Sequence, residues 1–542
     1  MRIPDVGLLK LNQNTLLRTL KTVCLLFLAL SLALLVFLKN GWVTEDAYIL
    51  FRSLEQLFAG HGPNWNPHER VQVFTSPLWY GVLAFSRLFS QDLYLTTIVV
   101  SLFLWLATLF VIHAIIKHAG ILLLTVLVLI SSNSFFDYTS SGLENVLAYL
   151  VIACFVYTYL TFFSGSVREH ADDQTLKTSM LKLLVIYGLL ILVRHDLALL
   201  LFPAMAYAVI QSKYLFSWRQ WLLYAALAFS PFFLYSLFSL IYYGFLFPNT
   251  AYAKLSTGIP QMDMFSQGFR YILVTLKYDV MTMLVILAAI IVSFLPSTKP
   301  QIRYLGFGLL LNLFYVVYVG GDFMLGRFLS YAFLLSVLIL AVHAARLNRY
   351  QLVMIGLVVM VYAIFYHHTP ANSPIKYKNQ LIESGVADER GFYFNDVSLY
   401  SYVQLDRDAF PQSHWRKQAE KFKQSDNMLV IRPTIGLYGY YAGIDKIIVD
   451  PFALADPLLA RLPAAPVPWR IGHFGRYLPA GYEDSIRNNN EVIVDENINA
   501  YYKKLKLITQ GEDLFSYQRL KTIVLFNLGA YNDLIENLKT ET

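Results

Sequence analysis

Apolar residues fill long uninterrupted stretches of this chain, and its polar positions gather into a few loops and one C-terminal segment. A helix that crosses a membrane needs roughly 20 predominantly apolar residues. Runs at 22–38, 77–89, 94–116, 121–136, 146–163, 181–193, 198–211, 221–243, 271–295, 304–319, 328–344 and 352–366 are candidates. Several are short and adjacent, so the pattern predicts about 11–13 transmembrane helices. One of the runs starting near 77 or 198 is expected to be a half-span. Polar loops at 41–76, 247–268 and 320–327 interrupt the apolar chain. In the first of them, Ala47 to Arg52 with Leu54, Leu57 and Phe58 has the spacing of a surface-lying amphipathic helix. Gly60-His61-Gly62 should end that helix, and Pro77 suits an early position of the next one. From 369 onward the chain is polar and punctuated by proline. Residues 428–432 and 446–450 read as short strands, 407–424 and 516–536 as helices. The fold class expected is therefore a polytopic α-helical membrane module, 1–368, followed by a soluble α/β or α+β domain, 369–542.

Composition agrees with the pattern and narrows it. Hydrophobic residues make up 56% of the 542 residues and charged ones 15%, against roughly 25% charged in soluble domains. Mean hydropathy is +0.49, which excludes a soluble enzyme on a single anchor. The net charge of +7 fits cytoplasmic loops and lipid headgroups, and no Lys/Arg-rich run points to nucleic acid. Arg2, Lys10, Arg18 and Lys21 precede the first apolar run. That run is too long for a signal peptide and lacks a small-residue cleavage site, so it reads as an uncleaved first span with a cytoplasmic N-terminus. Cys24 and Cys154 lie in apolar runs and are expected to be buried thiols.

A handful of polar residues could carry chemistry. Glu45-Asp46 stands just beyond the first apolar run, where ionised side chains are costly to keep. An ionised carboxylate there could be a general base; equally, the pair could be an acidic helix start with Thr44 as N-cap. Arg194 has the planar fork that grips phosphate, or it pairs with Asp196 to fix helix packing. Lys254, with Asn249 and Tyr252, could hold a phosphate at the interface, or simply be a snorkelling lysine. Asp322 and Arg327 bracket a Gly-rich turn and could bind hydroxyls or phosphate, or form an interfacial salt bridge. Glu144 beside Ser140-Ser141 reads as a helix-cap arrangement. No metal site is evident. A divalent cation at Glu45-Asp46 stays open, with no further ligand beside the pair.

Ordered motifs then give the chain a family likeness. They are Glu45-Asp-Ala-Tyr-Ile49, Gly60-His-Gly62, Asn66-Pro67 and Thr75-Ser-Pro-Leu-Trp79; Thr139-Ser-Ser-Gly-Leu-Glu144; Arg194-His-Asp196; Tyr242-Tyr-Gly244 with Pro248-Asn-Thr-Ala-Tyr-Ala-Lys254; Gly320-Gly-Asp322 with Gly326-Arg327; and Gly436-Leu-Tyr-Gly-Tyr-Tyr-Ala-Gly443 with Asp450-Pro-Phe-Ala-Leu-Ala-Asp-Pro457. Together they resemble the polyprenyl-phosphate-dependent membrane glycosyltransferases of the GT-C type, most of all the mycobacterial terminal arabinofuranosyltransferase family and its Gram-negative relatives. The chain departs from that pattern at Glu45, where Asp is usual, at Phe323, where Trp is usual, and at Leu325, where Pro is frequent. The resemblance implies a GT-C-like fold in the bacterial cytoplasmic (inner) membrane with its active site facing outside. It implies transfer of a sugar, a pentose such as arabinofuranose, from a polyprenyl-phosphate donor to an envelope glycan or glycolipid. Asp46, with Glu45, would be catalytic. Arg194, Asn249, Tyr252, Lys254, Asp322 and Arg327 would hold the donor phosphate and substrate. Two other readings stand beside this one: a transporter or flippase of lipid-linked saccharide, although no internal repeat symmetry is visible, and a non-catalytic envelope-assembly scaffold. The enzymatic reading requires Glu45-Asp46, Lys254 and Arg327 to converge on one cavity.

Overall fold

The structure is a computed structural model, and it describes residues 13–164, 172–366, 368–465 and 468–540. Arg2, Lys10 and the expected N-terminal orientation signal lie partly outside the described residues.

The chain runs through α1 (Gln13–Asn40), α2 (Glu45–Phe58), α3 (Pro77–Arg87), α4 (Leu93–Ile116), α5 (Ala119–Leu129), α6 (Asn133–Phe136), α7 (Asn145–Phe162) and α8 (Asp173–Val193). It continues with α9 (Leu197–Ser212), α10 (Trp218–Tyr242), α11 (Asn249–Leu255), α12 (Gln261–Tyr278), α13 (Val280–Ser293), α14 (Pro300–Tyr318), α15 (Leu329–Ala344) and α16 (Arg349–Phe365). Among the described residues six helices are long and apolar enough to cross a membrane, or seven if the bent pair α12–α13 is one span. The sequence pattern predicts about 11–13. The difference has a physical origin. Several apolar runs fold into helices of 10–17 residues, among them α5, α15 and α16, and α3, at 11 residues, is the expected half-span. The run at 271–295 is broken outright. Asp279 accepts hydrogen bonds from Ser134 N (2.7 Å), Ser134 Oγ (2.7 Å) and Thr282 Oγ1 (2.6 Å), starting α13 afresh at 111° to α12. A capping carboxylate inside an apolar run restarts a helix because it satisfies the orphan N–H groups of a new first turn.

Burial separates lipid-facing from central helices. α15 is the hub, with thirteen of its sixteen residues buried. α10 buries only Ala228 and Ser239, as expected of an apolar helix whose surroundings are hydrocarbon rather than protein. The same logic corrects the expectation for Cys24: it lies exposed on α1, while Cys154 is half-buried.

The C-terminal segment adds β1 (Ile382–Glu383), β2 (Val386–Ala387), α17 (Glu389–Val397), α18 (Leu399–Gln404), α19 (His414–Lys423), β3 (Leu429–Ile431), α20 (Gly436–Ala442), β4 (Ile447–Val449), α21 (Tyr482–Arg487), α22 (Glu496–Gln510), α23 (Tyr517–Asn527) and α24 (Asp533–Thr540). β3 and β4 lie within the two expected strands and pair in parallel; β1 and β2 form an antiparallel hairpin. The expected helix at 516–536 is split into α23 and α24. The one at 407–424 keeps only α19 and a short 3₁₀ turn at Arg407–Ala409, with Pro411 between them.

This segment is welded to the membrane module. Val386, Phe394, Val397, Phe410 and Leu437 belong to the same hydrophobic core as the membrane helices. Trp42 bridges Ser398, and Met324 bridges Ala387, in short backbone ladders. Arg52 of α2 is fully buried and, among the described residues, pairs with no carboxylate. It donates instead to the carbonyls of Trp65 (3.0 Å), Gly439 (2.5 Å), Gly443 (2.6 Å) and Lys446 (2.6 Å). The first loop and the C-terminal segment thus form one layer over one end of the helices.

Candidate active site

Asp46 is placed by the start of α2, which is cradled by the Thr139–Glu144 turn. Ser141 O accepts from Thr44 N (2.8 Å), Ser140 Oγ from Trp42 N (3.2 Å), and Gly142 O from Trp79 Nε1 (2.8 Å). Gly142 has φ +80°, and a Cβ there would sit 2.7 Å from that of Ala47; only glycine allows this approach. The turn fixes the height at which α2 begins, and with it Asp46.

The two adjacent acids do different things. Glu45 is buried, and its Oε1 accepts from Leu437 N at 3.0 Å, closing the first turn of α20. Gly436 is pressed so closely on it that a Cβ would lie 2.0 Å from the Glu45 carbonyl oxygen. Burial, reinforced by Asp46, raises the Glu45 carboxyl to about 8. Asp46, by contrast, is half-buried, and its carboxylate takes no hydrogen bond or ion pair within the described residues. Burial raises its pKa, while the positive charges of Arg327 and Lys254 pull it back down. The expectation that Thr44 would cap α2 is met in position only, because its hydroxyl is buried and unpartnered.

Around Asp46 lies a cluster of charges from distant segments. Arg327 Nε pairs with Asp322 Oδ2 at 2.5 Å across the Gly-rich turn between α14 and α15, and Phe323 N holds the other carboxylate oxygen at 2.9 Å. Arg194, at the end of α8, grips Asp196 through two parallel bonds (2.9 and 3.0 Å) and Glu144 through a third (2.7 Å). Glu144 therefore anchors Arg194 and makes none of the cap hydrogen bonds expected of it. Both guanidinium groups lie against the same Phe328 ring, at 4.9 and 5.3 Å from its centre.

Lys254 completes the group. On α11 it lies five residues from Asn249 and two from Tyr252, about 140° and 200° around the helix at 100° per residue, so its side chain leaves the opposite face. Its ammonium makes no hydrogen bond or ion pair among the described residues, yet it feels Asp322 and Asp46 attractively and Arg327 and Arg194 repulsively. Burial lowers its pKa below the usual lysine value. Asp46, Lys254 and Arg327 thus lie near enough to feel one another's charge, whereas Glu45 is turned away to Leu437 N.

Asn249 and Tyr252 do not join it. Asn249 Nδ2 donates to the carbonyls of Ala453, Leu454 and Asp456 (2.9–3.2 Å), and its oxygen accepts from Arg461 (3.2 Å). Tyr252 packs edge-on against Phe245, with the Arg461 guanidinium 4.6 Å from its ring centre. Asn249 locks α11 to the Asp450–Pro457 turn and Tyr252 packs it against Phe245 and Arg461, so together they hold Lys254 in place from behind.

Sequence reasoning missed the C-terminal contribution. Glu389, at the start of α17, is buried, and Asp46, Glu45 and Asp322 raise its pKa further against the pull of Arg470. Arg470 donates to Gly385 O (2.9 Å) and leaves one buried Nη2 without a partner. His473 stacks edge-on against Phe323 at 4.4 Å, and burial with Arg470 nearby lowers it to about 4. Nothing local marks these residues, since they reach the site only because the segment folds back onto it.

A divalent cation finds little here. Among the described residues no three His, Cys, Asp or Glu side chains are grouped to hold a metal ion. Glu45 and Asp322 are held by backbone N–H groups and Arg327, which leaves Asp46 as the free carboxylate of the three. The donor set does not fit the six to eight oxygens of Ca²⁺ or a near-octahedral Mg²⁺ shell.

A multi-span helical membrane protein with a mixed-charge cluster beneath the layer formed by its first loop and C-terminal segment is what the fold and site define. In sequence the chain is 29% identical over 249 residues to a terminal β-(1→2)-arabinofuranosyltransferase of Mycobacterium tuberculosis, covering 43% of this chain and 38% of that protein. It is 28% identical over 366 residues to the Corynebacterium glutamicum protein of the same name, covering 58% and 50%. The chain is thus a homologue of the terminal arabinofuranosyltransferases, in line with the GT-C likeness of its motifs, and its matches span half or less of those relatives. No protein-family model matches the chain. Among solved structures, ArnT from Cupriavidus metallidurans bound to undecaprenyl phosphate aligns with a TM-score of 0.48 at 13% identity, over 78% of this chain and 85% of that one.

Proposed function

We propose that this protein transfers a sugar, by family likeness a pentose such as arabinofuranose, from a polyprenyl-phosphate donor to a cell-envelope glycan or glycolipid. The observation that carries this reading is the pairing of an uncommitted carboxylate, Asp46, with an uncommitted ammonium, Lys254, inside one charged cluster. The acceptor hydroxyl would attack the anomeric carbon while Asp46 takes its proton. The bond between that carbon and the phosphate oxygen would break, and the electron pair would leave with polyprenyl phosphate. Lys254 would meet the negative charge growing on that phosphate, with Arg327 and Arg194 close behind it. Donors fixed in advance stabilise developing charge without reorganising, and such stabilisation is commonly a large share of catalysis. A raised carboxyl pKa also makes Asp46 a better proton acceptor, and general bases contribute typically 10²–10⁴-fold.

On this reading the protein sits in the bacterial cytoplasmic membrane, and residues 369–542 form the extracytoplasmic part. The basic residues ahead of the first apolar run support a cytoplasmic N-terminus, which would put the loop after α1, and the C-terminal segment packed on it, outside. The test supplies purified full-length protein with a labelled polyprenyl-phosphate pentose and an envelope-glycan acceptor. Labelled glycan is expected from the wild type and not from Lys254→Met. Movement of intact lipid-linked sugar across liposomes without transfer contradicts the proposal.

A further inference from the structure

A cavity of about 290 Å³ lies on the far side of α2 from Asp46. Tyr48 and Phe51 line it, and they lie about 200° and 140° around the helix from Asp46 at 100° per residue. The cavity is therefore separated from the charged cluster by the thickness of α2, roughly 10–12 Å with side chains. Tyr94 at the start of α4, Tyr402 of α18, Phe410, and Tyr440 and Tyr441 of α20 supply its other rings. Its volume is near the roughly 300 Å³ lower bound of small-molecule sites.

Three features indicate what it would hold. First, aromatic rings surround the space: Tyr48 meets Tyr440 edge-on at 5.6 Å, Tyr440 meets Tyr441 at 90°, and Tyr94 meets Phe410 edge-on at 4.6 Å and stacks on Tyr402 at 4.9 Å. Aromatic faces are electron-rich, and they suit the weakly positive C–H faces of a saccharide ring. Second, hydroxyls are left over. Tyr48 is only 1% exposed, and its hydroxyl has no partner; within the described residues, the Tyr440 and Tyr441 hydroxyls have none either. A buried unpaired hydroxyl is costly, and a polyol ligand would satisfy it. Third, the charges balance. Asp92 and Asp408 face Arg407 and Arg416. Arg416 is already engaged by Glu420 (2.7 Å) and the carbonyls of Asp408 and Phe410, and Asp92 accepts from the Tyr402 hydroxyl (2.5 Å). Arg407 is exposed, and within the lining its charge is matched by Asp92 and Asp408, so the space carries no net positive charge for an anionic headgroup.

We infer that this cavity is a saccharide subsite that holds a residue of the acceptor glycan away from the one being glycosylated. The inference rests on the glycan-acceptor reading above. It makes α2 a partition with the reacting hydroxyl on one face and the remainder of the acceptor on the other.

The test measures binding separately from turnover. Full-length protein in detergent is titrated with a synthetic arabinofuranosyl trisaccharide, in the wild type and in a Tyr440→Phe/Tyr441→Phe double variant that removes only two hydroxyls. Loss of two neutral hydrogen bonds should weaken trisaccharide binding roughly tenfold, raise the acceptor KM to match, and leave the donor KM unchanged. Tyr441→Ala, which removes a ring face, should weaken it further. Thermal unfolding checks that each variant is folded. Unaltered trisaccharide affinity in both folded variants overturns the subsite even if transfer is robust. Tyrosine-dependent trisaccharide binding in a protein that transfers nothing upholds the subsite and counts against the transferase instead. Tyrosine-dependent binding of anionic phospholipid vesicles in place of the trisaccharide also overturns it.

Discussion

Replacing Glu45 separates a strut from a catalyst. Its Oε1 receives Leu437 N at 3.0 Å inside a buried junction between α2 and α20. Glu45→Ala leaves that N–H unsatisfied and removes packing against Gly436, and an unsatisfied buried polar group costs about 1–3 kcal/mol. Glu45→Gln keeps an acceptor oxygen and should lose far less. The pH dependence has a definite sign. Burial, with Asp46 beside it, raises the folded-state pKa of Glu45 from its ordinary value of 4.5 to about 8, so the folded protein holds a proton that the unfolded chain releases. The resulting stabilisation is complete below the unfolded value and is lost as pH rises towards the folded one. Thermal unfolding in detergent across that window should show stability falling from about pH 4.5 to about pH 8 in the wild type and a flatter profile in Glu45→Gln. Turnover per folded molecule should stay close to wild type in Glu45→Gln. A fully stable Glu45→Gln protein whose turnover falls by about 10²-fold or more, the scale of a lost general base, would refute the strut and make Glu45 a chemical group.

Arg194→Lys keeps the charge but loses the fork to Asp196 and the bond to Glu144; loss of about 1.5–3 kcal/mol from one charge-assisted hydrogen bond should appear as a ten- to hundredfold lower kcat/KM for the donor in initial-rate assays. Asn249→Ala should lower the unfolding midpoint, because three carbonyls and Arg461 lose their partner, while turnover per folded molecule changes little. The acid limb of the pH–rate profile should fall above the ordinary carboxylate range, because burial raises Asp46; a limb near pH 4, the value of an unperturbed carboxyl, would contradict the buried-base geometry.

How far the sequence foretold this site depends on whether the determining forces were local. α2 was legible because its apolar spacing and the Gly60-His61-Gly62 stop are local features, and α3 starts at Pro77 for the same reason. Asp46, Lys254 and Arg327 were legible through their motifs, and the structure brings them together. Asn249 and Tyr252 belong to the same motif as Lys254, but helical geometry turns them to the opposite face, where Asn249 grips the Asp450–Pro457 turn and Tyr252 packs on Phe245 and Arg461. Asp279 was hidden inside an apolar run, because a capping role depends on Ser134 arriving from another helix. Glu389, Arg470 and His473 were illegible because their meaning comes from the C-terminal segment folding back over the first loop. Motifs that looked like separate signatures are in fact pairs in contact: Glu45 with Gly436-Leu437, and Asn249 with Ala453 to Asp456.

The central claim is that Asp46 takes the proton of the acceptor. It is tested most directly by turnover of Asp46→Asn in the purified full-length protein, with labelled polyprenyl-phosphate pentose and glycan acceptor. The substitution keeps the shape of a side chain that makes no hydrogen bond within the described residues, and it removes a charge that burial disfavours. The expected result is an unfolding midpoint equal to or above the wild type, retained donor binding, and turnover lower by about 10²–10⁴-fold. Transfer at the wild-type rate by a folded Asp46→Asn protein would contradict the account.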